Sequence, residues 1–311
     1  VSKGNLMINL FDQYKENGYV IFPKLISNAK IDSLLDELDK FKKNNLLYFS
    51  QSEHNYRRVK NDLDEFNLLN TSFHNFTDIL WAYRFGKAGR DILQSSDIKN
   101  ALSKLSYFKE FTMWQNMLFD KSTGTIDHID SWYLDTNPPG SLLAVWVALE
   151  DIDGKGGSFH VYPKSHKNSS KSWINLDHNQ LIEWTKLNQK KFKKKNIFLK
   201  KGDVLIWHPL LIHGSSSQKE PGFSRKSITA HYCPNELLMG GNGISESIET
   251  TNYKKKLSIK KKNARNFGYP LSCRRSRKKI ALASIYGLTR YLSNIGNSPY
   301  MLMNRKEYEK F

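Results

Sequence analysis

The chain has 311 residues, a formal net charge of +18 and 39% hydrophobic residues. That length supports a substantial core in one large domain or two small ones. It is not a disulfide scaffold, because the two cysteines, Cys233 and Cys273, form neither a framework nor a metal-type spacing; this fits a reducing compartment. The longest clean apolar run, S-L-L-A-V-W-V-A-L at 141–149, is strand-sized, so no transmembrane helix is expected. Lys3, Asp12, Lys15 and Glu16 make the N-terminal stretch unlike a signal peptide. Together these features predict a soluble, cytoplasmic protein.

The elements follow in order. Residues 5–17 predict a short helix, Asn17-Gly18 a turn and Y-V-I-F (19–22) a strand. Ser27 or Asn28 can cap a second helix whose apolar positions Ile31, Leu34, Leu35, Leu38 and Phe41 keep helical spacing. Residues 44–70 are mixed and polar, and 76–109 read as helical pieces. From about 111 the texture changes to strands: 111–119, 142–149, 157–163, 196–199, 203–208 and 226–232. Short strands at close spacing with Gly and Pro turns predict a sandwich or barrel. The expected fold is mainly β with flanking helices. One domain spans 1–240, helical to about 110 and β from about 111, and a basic, partly helical extension follows at 241–311, with a helix at 278–294.

The positive charge sits mostly in K-K-F-K-K-K (190–195) and in the runs within 254–279. It implies either an acidic partner or a solvated lysine bias. Neither run interleaves aromatics as single-strand binders do, so no specific nucleic acid is expected. Nothing in the sequence specifies an oligomeric state.

The chemistry-bearing stretch is T-I-D-H-I-D-S-W-Y-L-D, from Thr125. On a strand, His128 and Asp130 would point to one face. Alone this is weak, since chance supplies about half an H-x-D match in a chain of this composition. Its company strengthens it. G-D-V-L-I-W-H-P-L-L-I-H-G-S (202–215) presents His208 and His213 as rival ligands, and Arg225 opens a strand downstream. His213 is favoured because Gly214-Ser215 and the spacing to Arg225 follow it. Two histidines and a carboxylate on one face of an octahedral ion form the facial triad of non-haem iron(II) oxygenases. Arg225 could then clamp the distal carboxylate of 2-oxoglutarate through parallel hydrogen bonds. Trp132 and Tyr133, beside the ligands, could line a substrate site or simply pack.

In order along the chain, Y-K-E-N-G-Y-V-I-F-P-K-L-I-S, H-I-D, W-V-A-L-E-D-I, G-S-F-H-V-Y-P-K-S-H, G-D-V-L-I-W-H-P-L-L-I-H-G-S and the arginine resemble the phytanoyl-CoA dioxygenase family, over roughly residues 9–235. The resemblance implies a double-stranded β-helix (jelly-roll) core. It implies iron(II) held by His128, Asp130 and His213 as the catalytic centre, with 2-oxoglutarate and dioxygen as cosubstrates. It places Arg225, Ser215, Gln115, Trp146 and Ser227 around 2-oxoglutarate. The activity it implies is hydroxylation of an unactivated C–H bond of a small molecule, anionic or linked to a carrier or CoA, with release of succinate and CO2. The carboxylate of Asp130 argues for hydroxylation or desaturation over halogenation, where chloride takes its place. The sequence departs from the family at Lys164 of P-K-S-H, where the family has glycine, and at Gly156-Gly157, where it has Asn-Gly. The alternative reading is a non-catalytic jelly-roll module that binds an acidic partner through its basic tail.

Overall fold

The computed structural model describes residues 3–43, 47–49, 58–78, 83–168 and 172–240. The expected helix at 278–294, the basic runs within 254–279 and the rest of the C-terminal extension lie outside the described residues.

The elements are α1 (Lys3–Asn17), β1 (Tyr19–Phe22), α2 (Asn28–Lys43), β2 (Leu47–Phe49), β3 (Arg58–Lys60), β4 (Phe73–His74), α3 (Tyr83–Leu93), α4 (Ser96–Lys104), β5 (Phe111–Phe119), β6 (Thr123–His128), α5 (Asp130–Tyr133), β7 (Asp135–Asn137), β8 (Leu143–Ala148), β9 (Phe159–Val161), α6 (His178–Gln189), β10 (Lys195–Ile197), β11 (Val204–Trp207), β12 (His213–Ser217), β13 (Ser227–Pro234) and β14 (Leu238–Gly240). A major sheet runs β1-β11-β8-β13-β5-β4 and a minor sheet β10-β9-β12-β6, with all pairings antiparallel. The two facing sheets form the jelly roll, and the N-terminal helices lie against the outer side of the major one.

Strand alternation explains this layering. On β8, Leu143, Val145 and Val147 join a core cluster with Ile31, Leu34, Leu38 and Phe41 of α2 and Ile98 and Leu102 of α4. Ala144, Trp146 and Ala148 face the other way and pack with Phe159 and Val161 of the minor sheet. Both faces of β8 are therefore dry, which is why its sequence is an unbroken apolar run. On β13, Ile228, Ala230 and Tyr232 face the helices. Ser227, Thr229 and His231 take the opposite, inward side by the same alternation.

Two short strands from the N-terminal part, β1 and β4, occupy the two edges of the major sheet. The helix α6 was not anticipated. Its signal was present in the capping box of Asp177 and Gln180, whose side chains bond reciprocally to the first turn.

Both departures from the family pattern have a physical account. Lys164 stands at φ 71°, the left-handed region that glycine tolerates without cost. Its N–H donates to the carbonyl of Asn17 at 3.0 Å, and its Nζ pairs with Glu16 at 2.8 Å. At Gly156 a Cβ would collide with the carbonyl of Ser224, so only glycine lets this turn approach the segment leading into Arg225. The left-handed conformation costs a non-glycine residue about 1–2 kcal/mol, and glycine gives back roughly 0.5–1 kcal/mol as unfolded-state entropy. Lys164→Gly is therefore expected to leave stability unchanged or raise it by up to about 1 kcal/mol in urea unfolding, and Lys164→Val to lower it.

Candidate metal and cosubstrate site

The inner face of the jelly roll carries the site. β6 and β12 pair so that His128 and His213 stand directly opposite each other, with ring centroids 4.3 Å apart. β6 ends at His128. Ile129 has extended backbone, and Asp130 opens the single turn α5. The expectation that His128 and Asp130 share a strand face is thus corrected: the two side chains converge because the chain turns between them. That turn is fixed by the Ser131 N–H donating to the Pro209 carbonyl at 3.1 Å and the Ser131 hydroxyl donating to Asp135 at 2.5 Å.

One ligand atom from each of His128, Asp130 and His213 lies within 4.8 Å of the others. Asp130 Oδ1 is 3.6 Å from Nε2 of both histidines. Each imidazole donates its Nδ1–H to a main-chain carbonyl two residues back, His128 to Ile126 at 2.8 Å and His213 to Leu211 at 2.9 Å. This selects the tautomer with a bare Nε2, the atom a metal would take. Asp130 Oδ2 points elsewhere. It accepts the indole N–H of Trp207 at 2.9 Å and lies 3.4 Å from His231 Nε2.

Burial opposes charge on Asp130, but His213, His231 and His128 hold its carboxyl well below the usual range. Burial pulls His213 down to about 4. Burial also acts on His128, yet Asp130 and the Ile126 carbonyl outweigh it and raise its pKa. The donor set of two neutral-capable imidazoles and one ionised carboxylate suits a divalent first-row metal such as iron(II).

The rival ligand His208 lies outside this group. Its Nδ1 accepts the Leu210 N–H at 3.1 Å, and burial beside His166 pushes it down to about 3. Trp207 and His231 escaped the sequence reading. Each looked like an ordinary strand residue, and only the tertiary structure brings them to Asp130.

Arg225 is 3% exposed, and burial lowers it to about 10. Its guanidinium lies between the rings of Trp146 and Phe119, 5.6 and 5.7 Å from their centroids. No carboxylate pairs with it among the described residues, and its Nε and Nη1 have no hydrogen-bond partner there. The buried Oγ of Ser215 is also without one. Orphaned buried donors of this kind are costly unless a ligand satisfies them. An anionic group such as the carboxylate of a 2-oxo acid fits this end of the site.

The structure places the other expected residues as follows. Ser227 Oγ donates to the Arg225 carbonyl at 3.3 Å, so it acts on that residue's backbone. Gln115 sits across from His231 on β5, and its amide contacts Nε2 of His74 at 2.6 Å. Burial holds His74 down at about 4, so its neutral ring can accept from the amide. Gln115 is four residues, roughly 13 Å, along β5 from the Phe119 that stacks on Arg225. Trp146 packs on Phe159 at 5.2 Å with its face toward the interior. Tyr133 stands edge-on to His128 at 5.7 Å, bordering the metal group. Trp132 is turned to the Leu176 carbonyl, 2.9 Å from its indole nitrogen, and anchors the segment before α6.

A profile of the family described as "Phytanoyl-CoA dioxygenase (PhyH)" matches residues 14–227. The peroxisomal phytanoyl-CoA dioxygenase of Bos taurus is 33% identical over 113 residues, covering 34% of this chain and 32% of that protein. Phytanoyl-CoA dioxygenase 1 of Oryza sativa subsp. japonica is 26% identical over 181 residues, covering 55% and 58%. The chain spans about a third of the length of the mammalian relatives it matches. Among solved structures, the epimerase SnoN in complex with Fe3+, alpha ketoglutarate and nogalamycin RO superposes with a TM-score of 0.58 at 16% identity, covering 80% of this chain and 92% of that one. EctD from S. alaskensis with bound Fe gives 0.54 at 14% identity, covering 79% and 82%. At these identities the likeness is one of fold.

Removing the Asp130 Oδ2 partner should loosen the metal group. Trp207→Phe is expected to weaken divalent-metal binding by about 10- to 100-fold, measured by titration of the apo-protein with Fe(II) under argon. Because His128 must lose its proton to ligate, wild-type affinity is also expected to fall as the pH drops through that residue's raised titration.

Proposed function

Since the chain belongs to the phytanoyl-CoA dioxygenase family, we propose that it is an iron(II)- and 2-oxoglutarate-dependent dioxygenase. It would hydroxylate an unactivated C–H bond of a small molecule and release succinate and CO2. The observation that carries this reading is the pairing of a His-Asp-His group whose imidazoles leave Nε2 bare with a buried arginine whose Nε and Nη1 have no hydrogen-bond partner among the described residues.

His128, Asp130 and His213 would hold the iron. Iron(II) bound there supplies the redox chemistry that couples decarboxylation of 2-oxoglutarate by dioxygen to oxidation of the substrate. The protein's own part is orientation and exclusion of water. Trp207 donates to one carboxylate oxygen of Asp130, with His231 Nε2 3.4 Å from it, which would leave the other oxygen for the metal. Arg225 and Ser215 offer unpaired donors to the distal carboxylate. Trp146 and Phe119 strip the guanidinium of water, which strengthens its attraction for an anion. Tyr133, edge-on to His128, would line the substrate side of the metal. A non-catalytic module would leave Arg225 and Ser215 buried with nothing to bind.

The substrate side of the reading is an anionic or carrier- or CoA-linked molecule. It is supported by Lys190, Lys191, Lys193, Lys194 and Lys195, all exposed on the turn from α6 into β10. Among the described residues no helix is long and apolar enough to cross a membrane.

The test is anaerobic. Protein loaded with iron(II) and titrated with 2-oxoglutarate is expected to develop the visible charge-transfer band of a metal-bound 2-oxo acid. Arg225→Ala should raise the concentration needed by about 10- to 100-fold, the worth of hydrogen bonds to a charged group. Absence of the band from folded, iron-loaded wild-type protein would reject the reading.

A further inference from the structure

The strand that delivers His128 carries a second carboxylate that the metal group does not use. Between the register pairs His213–His128 and Ser215–Thr125, β12 spends one residue, Gly214, while β6 spends two, Ile126 and Asp127. This is a β-bulge, a device that leaves a residue outside the ladder and re-aims its neighbours. Asp127 leaves the inner face altogether. Its Oδ1 meets His160 Nε2 at 2.5 Å, and its Oδ2 accepts the Tyr162 hydroxyl at 2.7 Å. His160 lies on β9 and Tyr162 directly follows it, whereas β12 runs between β9 and β6. The bridge therefore crosses a whole strand.

It can cross only because that strand carries glycine at the crossing. A Cβ at Gly214 would collide with Asp127 Oδ1 and come within 3.0 Å of His160 Nε2. The crossing is adjacent to the metal group in register: Gly214 pairs with His160, and His213 pairs with both Val161 and His128. His160 Nδ1 has no hydrogen-bond partner among the described residues, so Nε2, at the carboxylate, is the ring atom that makes the contact.

We propose that Asp127 is a positioning residue: its bridge to His160 and Tyr162 across Gly214 fixes the bulge in β6, and so fixes the spacing of the His128 and His213 imidazoles. This rests on the reading of His128, Asp130 and His213 as a metal centre. A bulge interrupts the ladder bonds that would otherwise hold β6 to β12 at this point. A ligand set needs placement within about 0.5 Å. Two hydrogen bonds to an ionised carboxylate, among the stronger kinds in proteins, replace the missing restraint. The same crossing gives Gly214 a purpose independent of backbone conformation.

The experiment uses the full chain and Co(II), whose visible d–d spectrum reports ligand geometry. Thermal midpoints of the apo-proteins are recorded alongside Co(II) dissociation constants and spectra. Folded Asp127→Ala is expected to bind Co(II) at least about 10-fold more weakly than wild type, with a changed d–d spectrum. Asp127→Asn, which keeps the shape and can still accept hydrogen bonds, should recover part of the loss. Tyr162→Phe removes one of the two bonds and should weaken binding by about 2- to 10-fold; it carries the comparison if Asp127→Ala does not fold. Asp177→Ala, which uncaps α6, should lower the thermal midpoint and leave both the Co(II) affinity and the spectrum as in wild type. Wild-type affinity and spectrum in folded Asp127→Asn and Tyr162→Phe would overturn the inference while sparing the metal centre. Failure of the wild-type protein itself to bind Co(II) would overturn the metal centre and this inference with it.

Discussion

The division of labour within the Asp130 carboxylate is the constraint on which the site depends. One oxygen faces two imidazole nitrogens, and the other is held by the indole of Trp207 with His231 beside it. A carboxylate this deeply buried is tolerable only if its charge is compensated and its lone pairs are used. The Trp207 indole uses one of those lone pairs, and the histidines around the carboxyl hold its pKa down. The strand pairing that sets His128 opposite His213, the turn that brings Asp130 between them and the placing of Trp207 at the end of β11 all serve this one group.

The major sheet separates two environments that would otherwise interfere. Its outer face is sealed by α2, α3 and α4 with large aliphatic and aromatic side chains, and supplies the bulk of the hydrophobic stabilisation. Its inner face is then free to carry polar groups, such as Ser227, Thr229 and His231 at residues alternating with the apolar ones of β13, with Arg225 just before the strand. Bracing from outside reaches the site through single atoms. The Asp120 carbonyl receives the Arg225 N–H, while the Asp120 side chain accepts from Lys42 Nζ at 3.0 Å, joining α2 to the strand end beside the arginine.

The minor sheet works differently. Its strands are short, and polar bridges hold it near His128, Asp130 and His213. The Asp127–His160–Tyr162 connection behind β12 and the backbone bonds that fix the tautomers of His128 and His213 belong to this pattern. Main-chain carbonyls select the proton position on each ring, a role open to any residue type at 126 and 211. Sequence identity there carries no trace of it.

The strands of the major sheet other than β4, and the helix α2, were legible because burial imposes a period on residue type, as in 142–149 and at Ile31, Leu34, Leu38 and Phe41. His128, Asp130, His213 and Arg225 could be named because their chemistry is rare and their order along the chain resembles a known family. The sequence alone did not determine how they meet. A strand repeat was the obvious way to align His128 with Asp130, yet the chain uses a strand end followed by a helical turn. Nor did it reveal Trp207, His231 or the use of Asp127, since a hydrogen bond between residues far apart in the chain leaves no periodic mark. Local pattern follows from short-range sterics and burial; the site was decided by which distant strands lie side by side.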